Sequence, residues 1–257
     1  MLADRPGKCI DPISRVIGYH AGHRAWAMRK HVGRTLVILE GCHVSDEERD
    51  FDGEAASWDE QPGEIESALE LAGAIRVSVD LTRDMKVLDF GCGTGLIAVE
   101  LLPLVRSITA ADTSVGMLEV VNRKISTHSL ASLRTALIGS DDIGDEYDLI
   151  ICSLVLHHVD DVEALLGELH GLTMPGGCIC VCDIDLDGGA FHENHAGVFH
   201  HGFKRDDLKA RLEAAGFFDV ESSTVKRLSG FGHDGSTREF DLFVMTGRKA
   251  FHRHDKR

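Results

Sequence analysis

The chain has 257 residues, enough for one larger domain that buries a full core without disulfides or a structural metal. Its 27 lysines and arginines against 42 aspartates and glutamates leave a formal charge of −15, which argues against a surface that follows nucleic acid or anionic lipid. Seven cysteines without the spacing of a disulfide framework fit a reduced, cytoplasmic setting, and there is neither a signal-peptide core nor an apolar run of the roughly 20 residues a membrane span needs.

Residues 1–50 carry little pattern beyond "RTLVILEGCHV", which reads as one short strand, and form an N-terminal extension. Met28 lies just upstream of the first clear pattern and marks a candidate alternative start. The domain is expected over residues 51–250, with a polar tail over 251–257. Its first segment is "FDGEAASWDE", in which Trp58 is either a lid or a core residue. Pro62 then stands where a helix favours its first residue, and Ile65, Ala68, Leu69, Ala72 and Ile75 follow at helical spacing.

From here strands and helices alternate. "KVLDF" (86–90) predicts a strand and "GLIAVELLPLV" a helix; "SITAAD" (107–112) predicts a strand and "SVGMLEVVNRKIS" a helix. "LRTALIG" and "YDLIICS" (147–153) are strands three and four. Asp160 and Glu163 form a capping-box-like start to "VEALLGELHGL". "GGCICVCDID" (176–185) is strand five, and "RDDLKARLEAAG" a helix ended by Gly216. "FFDVESSTVKRL" and "EFDLFVMTGR" close the chain as a hairpin, so one of the two strands runs against the rest. Such alternation predicts a three-layer α/β sandwich with a mainly parallel sheet, and ligands bind beyond the carboxyl ends of its strands.

That rule singles out the stretch after strand one, "DFGCGTG". Gly91, Gly93 and Gly95 let the chain turn with positive φ and let a ligand lie against bare backbone. Thr94 is placed to cap the next helix, whose first N–H groups favour a small anion. The spacing is G-x-G-x-G rather than the dinucleotide G-x-G-x-x-G, and Asp89 before it would repel a pyrophosphate and attract a cation. Asp112 ends strand two, where an acid accepts hydrogen bonds from both ribose hydroxyls. A ribose, a cation, a small anion and no phosphate together describe S-adenosyl-L-methionine.

At these residues the chain resembles the class I S-adenosylmethionine-dependent methyltransferases, over about Phe51 to Thr246. "VLDFGCGTG" is similar to the family's first motif, "ITAADTSVGML" to its second, "YDLIICSLVLHHVDD" to its fourth-strand segment and "LTMPGGCICVCDID" to its turn into strand five. "FDGEAASWDE" and "HHGFKRDDLKARLEAAGF" resemble segments of a branch acting on small molecules. The resemblance implies a seven-stranded sheet in the order 3-2-1-4-5-7-6 with strand seven antiparallel. It implies a cofactor site made of Asp89, Gly91, Cys92, Gly93, Thr94 and Gly95, with Asp112 and Thr113 at the ribose. Either Asp141 or Asp142 would meet the adenine amino group, Ile143 would pack on the ring, and Ser153 and Leu154 would face the methionyl end. The partner it implies is a small-molecule methyl acceptor, with no nucleic acid and no membrane.

Methyl transfer to a hydroxyl or amine benefits from a base, and histidine suits that work near neutral pH. His157, His158, His192, His195, His200 and His201 follow strands four and five, and His201 is the favoured catalytic residue because "HHGF" lies over the acceptor side. His192 and His195 stand i, i+3, which converges on a metal only in a helix. Gly197 and the missing periodicity argue against one, so a polar lid and no metal is expected. Cys178, Cys180 and Cys182 share one face of a strand, which cannot wrap a metal, and read as small core residues. Cys92 reads as a space filler rather than a nucleophile. Two other classes stay open: an NAD(P)-dependent oxidoreductase, and a non-catalytic protein that holds S-adenosylmethionine.

Overall fold

The computed structural model describes residues 49–251 apart from 145, 193–194 and 232–235. The strand expected in residues 34–44, Met28 and the tail after Phe251 lie outside the described residues.

Asp50 caps a one-turn helix, α1 (Phe51–Glu54), by accepting the Gly53 N–H at 3.0 Å, and a 3-10 turn (Ala55–Glu60) continues it. Helix α2 (Glu64–Ser78) starts after Gly63, whose φ is 88°, so Pro62 lies just outside the helix rather than at its first position. Its buried face is Leu71, Ala72 and Ile75, whereas Ile65 and Leu69 are half exposed. The helix is rotated from the stripe that spacing predicted, because Glu64, Ser67 and Ala68 turn toward a cavity while Leu71 joins the core.

The strands are β1 (Lys86–Phe90), β2 (Ser107–Asp112), β3 (Leu133–Leu137), β4 (Tyr147–Ser153), β5 (Thr173–Ile184), β6 (Phe217–Phe231) and β7 (Thr237–Lys249). They form one sheet in the order β3-β2-β1-β4-β5-β7-β6, with β7 antiparallel to both neighbours. This is the expected topology.

Between the strands run α3 (Leu96–Leu101), α4 (Val115–His128), α5 (Val162–Leu172) and α6 (Arg205–Ala214). Helix α3 is short because Pro103 breaks it into a 3-10 turn (Leu102–Leu104). Ser114 caps α4 and Asp161 caps α5, the latter accepting the Ala164 N–H at 2.9 Å, one residue later than the capping-box pattern placed it. Gly216 follows α6 with φ 107°, the left-handed stop expected of it.

Strand alternation sorts the core into two layers. Leu88, Phe90, Ile150, Cys152 and Val181 face α5 and α6, and Val87, Leu149, Ile151, Cys180 and Cys182 face α2 and α3. Cys180 and Cys182 are thus core residues, as expected, and Cys178 packs against the same cluster.

Candidate active site

The carboxyl ends of β1, β2 and β4 open into a cavity of about 570 Å³, within the usual range for a small-molecule site. Its floor is the glycine loop. The N–H groups of Gly91 and Cys92 donate to Ala111 O at 2.8 and 3.0 Å, which folds the loop back across β2. Gly91 has φ 71°, and a Cβ there would lie 2.3 Å from Val155 Cγ2, so only glycine lets the loop pass the Val155 side chain just after β4. Gly93 has φ 52°, and a Cβ there would meet nothing within 4 Å. It presents bare backbone to open space, the surface a ligand can lie against.

Asp112 stands at the rim. Its two carboxylate oxygens accept the N–H groups of Gly93 at 2.8 Å and Ser114 at 2.9 Å, which aims the remaining lone pairs into the cavity. Burial holds its pKa above the usual carboxylate range. Asp89 lies beneath the loop, fully buried; burial, then the charge of Asp112, pushes its pKa up to about 7. Its Oδ2 has no hydrogen-bond partner among the described residues. A buried acid left half satisfied is suited to a nearby cation.

Thr94 does not cap α3. Gly95, at φ 77°, takes that position, and the Thr94 hydroxyl donates to Asp59 at 2.6 Å instead. Lys124 of α4 joins them, 2.7 Å from Asp59 Oδ2 and donating to Thr94 O at 2.8 Å. Asp52 accepts the Gly116 N–H at 2.8 Å and the Ser114 hydroxyl. Two acids of the N-terminal segment therefore pin it over the loop and α4, so that Phe51 and Trp58 roof the cavity. Trp58 is a lid and a core residue at once, since it also packs on Ala55, Met117 and Val120. The Arg49 guanidinium lies 5.0 Å from the Phe51 ring and 5.2 Å from Trp58, and it pairs with Glu54 at 2.8 Å.

The far wall comes from the end of β4. Ser153 lines the cavity with a hydroxyl that lacks a partner among the described residues. Leu154 adopts φ 55°, a costly conformation for a branched side chain, held by its N–H bond to Cys182 O at 2.8 Å. His157, buried, places Nδ1 2.8 Å from Asp183 Oδ1, and His158 donates from Nδ1 to Gly197 O at 2.8 Å. Both line the cavity with Phe191 and His192. Burial, then the neighbouring His157, lowers the pKa of His158 to about 4 and that of His192 to about 3.

Of the residues expected from sequence, Gly91, Cys92, Gly93, Thr94, Asp112, Thr113, Ser153 and Leu154 line this cavity, with Asp89 and Gly95 directly behind it. Asp141, Asp142 and Ile143 do not. The two acids are exposed and bind their own loop, accepting Leu137 N–H at 2.8 Å and Gly144 N–H at 2.9 Å, and Ile143 is buried in the core. His201 is exposed and outside the cavity, its ring against His195 at 5.1 Å. Burial and the acids beside it hold the Cys92 thiol well above its usual range, which fits a filler and not a nucleophile. Arg49, Glu54, Glu64 and Met117 were not expected to line the site, whereas His157, His158 and His192 stood among the candidate bases and do line it. The acid-rich "FDGEAASWDE" was the available signal for the roof.

A family model described as a methyltransferase domain matches residues 58–222. The chain belongs to this methyltransferase domain family. The chain is 34% identical over 135 residues to an uncharacterized methyltransferase of Schizosaccharomyces pombe, covering 46% of this chain and 48% of that protein. It is 29% identical over 189 residues to an O-methyltransferase of Aspergillus nomiae, covering 67% and 83%. A 30% match over 109 residues to an uncharacterized methyltransferase of Mycobacterium bovis covers 41% of this chain and 55% of that protein, so the chain spans about half the length of two of these three relatives. Among solved structures, phosphoethanolamine N-methyltransferase 2 of Haemonchus contortus, in complex with S-adenosyl-L-methionine, superposes with a TM-score of 0.60 at 12% identity over 79% of this chain and 60% of that one. The methyltransferase domain's sheet order is that of the fold these structures share. No helix of the described residues is long and apolar enough to cross a membrane.

Proposed function

We propose that this methyltransferase domain uses S-adenosyl-L-methionine to methylate a small molecule. The observation that carries the reading is the charge of the cavity. Glu54, Glu64 and Asp112 line it against one guanidinium, Arg49, which Glu54 already neutralises, and Asp89 lies buried under the floor. A pyrophosphate has no cationic partner here, whereas a ligand with a sulfonium and an ammonium meets carboxylates on three sides. When bound, S-adenosylmethionine supplies an already activated methyl group.

The protein's own task is binding, alignment and exclusion of water. Asp112 accepts the ribose hydroxyls, and Thr113 and Met117 flank the adenine end on the β2 side. The open backbone of Gly93 lets the methionyl chain cross β1, toward Ser153 and Leu154 at the end of β4. Sheet order puts Asp112 on one side of β1 and His157, His158 and His192 on the other. The acceptor is assigned to that histidine wall, under the Phe51–Trp58 roof. The acidic chain, and cysteines that are all free among the described residues, favour a small cytoplasmic acceptor over nucleic acid.

Calorimetric titration tests the reading. Saturable binding of S-adenosylmethionine and S-adenosylhomocysteine, with none of NAD, is the expected result. Saturable binding of NAD and indifference to both adenosyl compounds would overturn it. Transfer of labelled methyl to a panel of small hydroxyl and amine acceptors then separates an enzyme from a protein that only holds the cofactor.

A further inference from the structure

We propose that His157, His158 and His192 form a binding site for a divalent transition-metal ion, with an open coordination position facing the cavity. One ring nitrogen from each residue lies within 4.8 Å of the other two. The ring centroids are 4.2, 4.9 and 5.3 Å apart with tilts of 49–53°, so the three rings cluster at an angle to one another rather than stack in parallel. His157 and His158 sit in the turn after β4, and His192 in the loop after β5. The sequence pair His192 and His195 is not what meets; the converging trio draws on two loops 34 residues apart.

The hydrogen bonds around the trio assign its tautomers. The Gly197 carbonyl can only accept, so His158 Nδ1 carries a proton and Nε2 the lone pair. The Asp183 carboxylate at 2.8 Å does the same for His157. Nε2 of His192 is buried and has no partner among the described residues. This is the outer arrangement metal-binding histidines need: a carboxylate on one nitrogen of His157 and a carbonyl on one nitrogen of His158, each leaving a lone pair on the other nitrogen for an ion. Asp183 is itself fully buried, and its Oδ2 has no partner among the described residues. A divalent ion beyond His157 supplies the positive charge that this carboxylate lacks. Arg49 is the nearby cation that would oppose an ion, and its charge is already met by Glu54 at 2.8 Å.

Imidazole nitrogens bind zinc at about 2.0–2.1 Å, which in a tetrahedron sets them roughly 3.4 Å apart, so the trio must close by up to roughly 1.4 Å. His192, on a loop, supplies most of that movement, while Asp183 holds His157. Three neutral imidazoles suit zinc, iron, nickel or copper and not magnesium or calcium. Three protein ligands leave a fourth position, and all three residues line the cavity. An oxygen of the acceptor coordinated there would be oriented and made more acidic. That use rests on the methyl-transfer reading; binding of the ion does not.

The test is zinc uptake by the full chain after chelator treatment, measured by competition with a chromophoric chelator, with cobalt(II) absorption as a second readout. Wild type is expected to bind one ion more than His192→Ala or His158→Ala, or to bind it at least 100-fold more tightly. The visible cobalt spectrum of a low-coordinate nitrogen site should vanish in both variants. Asp183→Asn should weaken the ion 10- to 100-fold. Histidines elsewhere in the chain are present in every protein, so their uptake cancels in the comparison. Equal stoichiometry and affinity in wild type and both folded variants, judged by circular dichroism and melting, would overturn the proposal. Parallel titration with S-adenosylhomocysteine keeps the two readings apart. A histidine-dependent ion without cofactor binding sinks the methyl-transfer reading alone, and cofactor binding without the ion sinks the metal site alone.

Discussion

Asp89 offers the sharpest test of the site's electrostatics. Its pKa is about 7 in the folded chain against 3.8 for an ordinary aspartate, because burial and then Asp112 disfavour its charge. Between those values the unfolded chain has lost the proton and the folded chain keeps it, so stability falls as pH rises through the window. The shift is about 3 units, and at 1.36 kcal/mol per unit the full cost above pH 7 is on the order of 4 kcal/mol. Asp89→Asn keeps the shape and removes the ionisation. Urea unfolding of both proteins from pH 4 to 8.5 should show nearly equal stability at the acid end. The variant should gain steadily until it leads by up to about 4 kcal/mol near pH 8. A cationic ligand near Asp89 should also release a proton on binding to wild type near pH 7 and none from the variant, read by calorimetry in buffers of different ionisation enthalpy. A stability difference that stays constant with pH, or one that favours wild type at high pH, would refute the reasoning.

Three further outcomes are expected. Asp112→Ala removes two charge-assisted hydrogen bonds to the ribose, each worth about 1.5 kcal/mol or more, and should weaken S-adenosylhomocysteine roughly 100-fold in calorimetry. Unchanged affinity removes Asp112 from the site. Gly91→Ala forces a Cβ to 2.3 Å from Val155 and should cost about 3 kcal/mol or more in urea unfolding, while Gly93→Ala, with space around it, should cost only about 1 kcal/mol yet impair cofactor binding. Equal stability losses would undo that distinction. In chelator-treated protein, His158 stays neutral to about pH 4 while its unfolded form protonates near 6.5, so stability should drop on acidification between those values by about 3 kcal/mol. His158→Gln should flatten the profile, and an unaltered slope would show that the ring is not held neutral.

Much of the fold was legible because it is written in local alternation. The boundaries of β1, β2 and β4 match the apolar runs "KVLDF", "SITAAD" and "YDLIICS" residue for residue, since strands buried on both faces must be continuously apolar. The glycine loop and Asp112 were legible for a related reason: a sharp turn at a strand end demands residue types that little else explains. Helix ends were less so. Pro62, Thr94 and Asp160 each had a plausible capping role, and Gly63, Gly95 and Asp161 took the positions, because neighbouring capping-competent residues differ only in tertiary partners. The face of α2 was misjudged for Ile65 and Leu69, since periodicity shows that a helix is amphipathic but not which of its polar positions will overlook a cavity.

The amino-acid sequence alone determined the strands, the mainly parallel sheet and the placement of the loop and acid that mark a methyltransferase domain, because these depend on short-range pattern and on rules of chain connection; the strand order came from the family resemblance that those motifs carry. The tertiary structure alone decided which side chains share the cavity. It turned His201 out to solvent and brought His192 across to His157 and His158. It also tied Asp59 to Thr94 and Lys124 so that an acidic N-terminal segment became a roof. Loops carry no periodicity to record where their side chains point. Their conformation is set by distant partners, here the Asp183 carboxylate, the Gly197 carbonyl and the Lys124 ammonium, which meet the site only once the chain has folded.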